Sequence, residues 1–201
     1  MVYTYLIKKS TKPPTSLNLW VELYPFLENF NWSQVFRLPY KIIKESYIQS
    51  FQYKVLNRIL NCNYNLHKWG IKDSPLCIYC TQVDTIQHHL YECKENTKLW
   101  TKIQDWIHEK LKVKFKFTVC EVIFGIPLIE DPLFDVLNCI IMYAKHYINF
   151  TRSKNKSFQF IELLGLIKDK VKTLFQIEED CYNATTERNK LKKTFYKLLL
   201  A

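Results

Sequence analysis

Apolar residues recur at three- and four-residue intervals along most of the chain, which predicts a mainly α-helical protein. Leu19, Trp20, Leu23 and Leu27 share one helical face, interrupted by Pro25. Asn31-Trp32-Ser33 reads as a helix start with Ser33 as N-cap, for a segment ending before Pro39. A longer helix is predicted over 41–60, with Ile48, Phe51, Val55 and Ile59 as its stripe. Lys41, Lys44, Gln49, Gln52, Lys54 and Arg58 occupy its other faces. Asn61 to Asn65 is a turn-prone link, and Leu66 to Trp69 a short turn before Gly70.

In the second half, Leu99, Trp100, Ile103, Trp106, Ile107 and Leu111 again keep helical spacing, and the tryptophans on that stripe are expected in a core. Lys110 to Phe117 alternates lysine with apolar residues, as a strand or an extended linker with one basic edge would. After a turn at Phe124-Gly125-Ile126-Pro127, Glu130-Asp131-Pro132 opens a helix. Its stripe from Leu133 to Ile148 is wide enough to pack on two sides. That helix should end at a basic patch from Arg152 to Lys156. A further helix carries Phe160, Leu163, Leu164, Ile167, Val171, Leu174 and Phe175. A last one, from about Ala184 to Leu200, is thinly apolar and should fray unless something docks on it.

Composition adds a core and removes a bilayer. The chain of 201 residues is 48% hydrophobic and 24% charged, enough apolar content to fold. The closest approach to an apolar span, Leu137 to Ala144, is too short to cross a membrane and meets Lys145. Seven cysteines form no disulfide-like set, since Cys62, Cys120, Cys139 and Cys181 are scattered singly; this points to a reducing, intracellular compartment. Net charge is +10, and residues 1–76 hold most of it, with ten Lys and Arg against four Asp and Glu. Such a balance favours a polyanionic partner.

The remaining cysteines are not scattered. Cys77-x2-Cys80 is followed by His88, His89 and Cys93, giving His-x4-Cys or His-x3-Cys according to which histidine is used. Two thiolates from one tight turn, a later imidazole and a third thiolate make the tetrahedral N/S set that structural Zn2+ prefers. The expected architecture is a helical domain with a small CCHC zinc-binding loop inserted between helices. Four protein ligands leave no open position for a catalytic water, so a closed structural site is expected. There is no phosphate-cradling Gly-x-x-x-x-Gly-Lys loop, nucleophile elbow or paired aspartates in a strand context, so no catalytic residues are assigned.

Asp73-Ser74 ahead of Cys77-x2-Cys80, then Val83-Asp84-Thr85-Ile86-x-His88, Cys93 and Leu99-Trp100, resembles the zinc-binding region that follows the polymerase in non-LTR (LINE-type) retrotransposon reverse transcriptases. Trp32, Arg37-Leu38-Pro39, Gln49 to Lys54 and Asn57-Arg58-Ile59 look like that family's lead-in helix. Phe124-Gly125 and Ala144-Lys145-x-Tyr147-Ile148 look like its trailing helices, so the resemblance covers roughly 30–180. It implies His88 as the ligand beside Cys77, Cys80 and Cys93, with His89 spare for supporting the site or touching phosphate. It implies RNA or DNA as partner, a polymerase domain as a further one, and a nuclear or cytoplasmic location. The chain then reads as the C-terminal piece of a longer polypeptide. It divides into a partly interfacial segment 1–30, a zinc-binding-like region 31–116 and a helical region 117–201. In the expected mechanism, zinc locks the basic helix before the loop against the tryptophan helix after it, and together they present Lys41, Lys44, Lys54, Arg58, Lys94 and Lys98 to a phosphate backbone.

Overall fold

The computed structural model describes residues 15–127, 131–181 and 187–201. The apolar stretch before Pro14, Glu130 and the start of the last helix at Ala184 lie outside the described residues, as do the side chains of Leu174 and Phe175. The described chain is helical and holds no strand, only an isolated antiparallel bridge between Leu76 and Val83. Its helices are α1 (Thr15–Leu23), α2 (Trp32–Ile42), α3 (Ser46–Leu56), α4 (Asn63–Lys68), α5 (Lys94–Leu111), α6 (Val119–Phe124), α7 (Pro132–Ser153), α8 (Phe160–Cys181) and α9 (Glu187–Leu200). A 3₁₀ turn covers Pro25–Asn29 and a π-helical turn His88–Glu92. None of the described helices is long and apolar enough to cross a membrane.

Helix α7 is the axis of the molecule. Asp131 caps it by accepting from the Leu133 amide at 2.8 Å, and Pro132 fills the first helical position, where a missing N–H costs nothing. From Val136 to Ile148 almost every side chain is buried, because α2, α3, α6, α8, α9 and the π turn all pack on it. The expected two-sided packing is thus exceeded. The buried apolar residues form one continuous cluster from Trp20 to Leu199.

Several local expectations change. Helix α2 is capped by Asn31, whose side chain accepts from the Gln34 amide at 3.2 Å, rather than by Ser33. It also runs through Pro39 to Ile42, because burying Leu38, Pro39 and Ile42 outweighs one missing backbone hydrogen bond. The helix predicted over 41–60 is two helices, broken at Ile43–Glu45. Ile59 lies past the second and is 45% exposed, while Leu56 and Leu60 take its place in the core. Gln52 and Gln49 turn inward: Gln52 Nε2 donates to the Ile123 carbonyl at 2.9 Å and Gln49 Nε2 to that of Ile43 at 2.7 Å. Neither tracks a surface. Asn63 and Asn65 belong to α4 and are buried. Their amides hold the Leu76, Arg58 and Leu60 carbonyls, so the asparagines pin loops instead of making a link. Residues 112–117 take the extended-linker alternative, with Lys112, Lys114 and Lys116 exposed and Phe117 buried. The last helix, α9, packs on α5, α7 and α8 and buries Tyr196 and Leu199.

Helix α6 joins the aromatic residues at 20–32 to α3 and α7. Trp20, Tyr24, Phe30 and Trp32 surround the Phe124 ring at centroid distances of 5.1–6.5 Å. Its last carbonyls, which no further helical turn can satisfy, accept from Gln52 and from the fully buried Lys145, whose Nζ lies 2.9 Å from the Val122 oxygen. Burial alone holds the Lys145 amine well below its ordinary pKa. Gly125 follows at φ +85°, and a Cβ there would collide with Leu38 Cδ2. Only glycine fits.

Candidate metal centre

The Cys-x2-Cys pair sits on a turn between the bridged residues Leu76 and Val83. The Cys77 amide donates to the Gln82 carbonyl at 2.8 Å, and the Tyr79 amide points back at Cys77 Sγ, 3.4 Å away. The other two members come from the π turn. In this wider turn the Cys93 amide donates to the His88 carbonyl, five residues back, at 3.2 Å. The turn is held from below by α5. Buried Asn96 donates to the His88 and His89 carbonyls at 3.1 and 2.8 Å, and Trp100 Nε1 to that of Leu90 at 2.9 Å. Trp100 and Trp106 are core residues, as expected, and Trp100 is also a strut for the site.

Together these elements bring Cys77, Cys80, His88 and Cys93 together, with all ligand atoms within 4.8 Å of one another. Cys93 Sγ lies 3.8 Å from Cys77 Sγ and 3.9 Å from Cys80 Sγ, and Cys80 Sγ lies 3.2 Å from His88 Nε2. Thiolates about 2.3 Å from a central ion at tetrahedral angles would be about 3.8 Å apart, whereas a disulfide needs about 2.05 Å. The four residues therefore fit a tetrahedral metal ion, and the cysteines are free thiols. Burial pushes His88 below the ordinary imidazole range, which keeps it in the neutral, metal-binding form. Burial also pushes the Cys93 thiol up. At Cys77 burial acts the same way, but the Tyr79 amide and the Arg152 guanidinium outweigh it and leave that thiol below its usual value.

His89 is not one of the clustered residues and belongs to a buried polar group beside them. Its Nδ1 lies 3.0 Å from Asp84 Oδ2 and 3.2 Å from Arg152 Nε. One nitrogen cannot both donate and accept, and donation to Asp84 is the arrangement that satisfies a buried carboxylate. Asp84 also accepts from the Asn63 amide at 2.9 Å and from Arg152 at 2.6 Å. Burial would raise the Asp84 carboxyl, yet His89 and Arg152 hold it below its usual range, as an anion. Arg152, read from the sequence as part of a basic surface patch, is 4% exposed. Lys154 and Lys156 are exposed, so the patch loses only its first member.

The six basic residues expected to face phosphate are not gathered on one helix face. Lys41 ends α2 and lies 3.7 Å from Asp135; Lys98, on α5, pairs with Glu95 at 2.6 Å. Arg58 lies beyond α3 at φ +59°, its guanidinium 4.4 Å over the Trp20 ring. Lys44, Lys54 and Lys94 are exposed, in the break before α3, on α3 and at the start of α5. Nor does α3 pack chiefly on α5: its neighbours are α2, α6 and α7, and the π turn bears on α5, α6 and α7. The expected clasp between two helices runs through a third.

Residues 3–100 match the family model described as zinc-binding in reverse transcriptase. The match falls on the stretch whose residues resemble the zinc-binding region of reverse transcriptases. The match contains all four clustered residues and ends on the tryptophan helix, so it starts and stops earlier than the expected resemblance over 30–180. No curated protein and no solved structure matches the chain. The zinc-binding region is thus joined, through one continuous core, to helices beyond the matched stretch.

Proposed function

We propose that Zn2+ is held by Cys77, Cys80, His88 and Cys93 as a closed structural centre, in a nucleic-acid-binding, C-terminal portion of a retrotransposon reverse transcriptase that carries no polymerase or endonuclease chemistry itself. The observation that carries this reading is a tetrahedral set of three sulfurs and one imidazole nitrogen inside the region that matches reverse-transcriptase zinc-binding sequences. The ion supplies rigidity: four bonds from two short turns replace the core these turns lack. The protein's own residues do the rest. Asn96 and Trp100 fix the carbonyls of the π turn, Asp84 and His89 brace its base, and α5 leaves from Cys93 in a set direction.

Nucleic-acid binding is supported by the net charge of +10, concentrated before the cluster, and by exposed Lys44, Lys54 and Lys94. RNA or DNA is then held through its backbone with little sequence preference, in the nucleus or cytoplasm. The test combines metal analysis of the purified chain with titration of structured RNA and duplex DNA over a salt series. One equivalent of zinc and an affinity that falls steeply with salt are expected. No binding to either polymer at low salt overturns the reading.

A second reading, a module packing on a polymerase domain, is favoured by one observation. Leu19, Leu23 and Phe26 are 45–62% exposed along α1 and the following turn, although Trp20 and Leu27 are buried in the chain's own core. Co-purification with a reverse-transcriptase polymerase fragment, lost on Leu23→Glu, tests it.

A further inference from the structure

The metal centre is walled on one side by residues from beyond the family match. Arg152, 75 residues past Cys77, directs Nη2 at Cys77 Sγ (3.1 Å) and at Asp84 Oδ1 (2.6 Å). Its guanidinium lies 5.0 Å over the ring of Tyr79, a residue inside the Cys-x2-Cys turn. Tyr79 in turn donates its hydroxyl to the Lys156 carbonyl at 2.5 Å and packs on Phe158 at 5.5 Å. A cation is thus inserted between two anions: the buried Asp84 carboxylate and a cluster that, with three thiolates, a neutral imidazole and a divalent ion, carries a net charge of −1. Removing it would leave two buried negative groups facing each other.

We infer that Arg152 is a positioning residue for the metal centre: from helix α7 it sets the direction and donor strength of the Cys77 sulfur. This rests on the cluster taking up a metal ion. Both contacts come from one nitrogen, Nη2, whose two N–H bonds lie in the rigid guanidinium plane and so fix the sulfur and the carboxylate relative to each other, whereas a lysine ammonium rotates freely. The hydrogen bond to Cys77 lowers the electron density on that sulfur and fixes its direction, in the manner by which outer partners tune metal ligands.

The test uses the full chain, with Zn2+ competed against a chromophoric chelator and Co2+ as a spectroscopic probe of the thiolates. Arg152→Met should bind Zn2+ about 10–100-fold more weakly, the usual loss when an outer partner of a ligand is removed. Its Co2+ complex should show the thiolate-to-metal charge-transfer band moved to lower energy, because a sulfur without its hydrogen bond is a better donor. Arg152→Lys, which keeps the charge and the fold, should fall between, with the band still displaced. Lys145→Met is the control for a merely structural effect: it removes a buried amine of the same helix whose hydrogen bonds go to the α6 carbonyls. It should lower resistance to denaturant while leaving the metal affinity and the band in place. Wild-type affinity and an unmoved band in both Arg152 variants overturn the inference, as does an equal loss of affinity in Lys145→Met. Failure of the wild-type chain to bind Zn2+ or Co2+ overturns instead the metal reading on which the inference rests.

Discussion

From Leu76 to Cys93 the chain keeps few large apolar side chains from water: Ile86 and Leu90 are buried, but Leu76, Ile78 and Val83 are 41–47% exposed. Over a similar length, α7 buries Val136, Leu137, Ile140, Ile141, Met142, Tyr143, Tyr147 and Ile148. The first segment is ordered by ligand atoms and hydrogen bonds, the second by area removed from water. A short loop cannot offset its backbone entropy by burial, so it concentrates the task on a few strong, directional contacts. Arg152 is where the two meet. It leaves a helix ordered by burial to reach a segment with few buried apolar side chains.

The comparison can be broken at either side. The largest effect should come from the loop: chelation, or Cys93→Ser, removes metal-binding free energy on the order of 10 kcal/mol in apparent terms. Thermal unfolding followed by circular dichroism with and without chelator should show a large drop in midpoint; coincident curves would mean the loop needs no ion. On the other side, Leu137→Ala in α7 should cost about 2–5 kcal/mol in denaturant titrations, with zinc stoichiometry unchanged. Gly125→Ala forces a left-handed backbone and a clash with Leu38, and should cost roughly 1–3 kcal/mol by the same measurement.

The smallest effect sharpens the picture at the rim of α7. Burial would raise the Glu45 carboxyl, but Lys170 at 2.9 Å and the Tyr143 hydroxyl at 3.0 Å hold it below its ordinary value. A lowered carboxylate contributes stability that is present above its unfolded pKa, near 4.5, and is lost as pH falls through the folded value. Glu45→Gln should therefore lower stability at neutral pH by less than about 1 kcal/mol and flatten its fall below about pH 4.5, where the two proteins converge.

The two regions were also legible to different degrees in the sequence. Three cysteines and a histidine within seventeen residues announce a metal site because the ligands are neighbours in the chain, and helical periodicity announces α5 and α7 because their partners are mostly apolar. The choice between His88 and His89 was not available from spacing. It depends on the fold around the π turn, which puts His88 Nε2 beside Cys80 and His89 Nδ1 beside Asp84. Arg152 was invisible for a different reason: 68 residues separate it from Asp84, and it heads a lysine run that reads as solvent-exposed. The break at Ile43–Glu45 and the inward glutamines were missed because nothing local in 41–60 interrupts a helical pattern; tertiary bonds from Gln49 and Gln52 decide the matter. Asn63 and Asn65 carry turn chemistry in their composition, yet spend it on carbonyls of neighbouring loops.

The π turn has a consequence for which length changes this protein can absorb. In an ordinary α-helix, residues five apart point about 140° away from each other; here the wider winding brings His88 and Cys93 back onto one side. Adding one residue between them would turn Cys93 a further step of about 80–100° around the winding, out of reach of its three companions. The exposed bend at Thr81 and Gln82 has no such winding to preserve. Insertions should therefore be tolerated at that bend and rejected after His88: the spacing that looks like a motif in the sequence is a count of backbone turns.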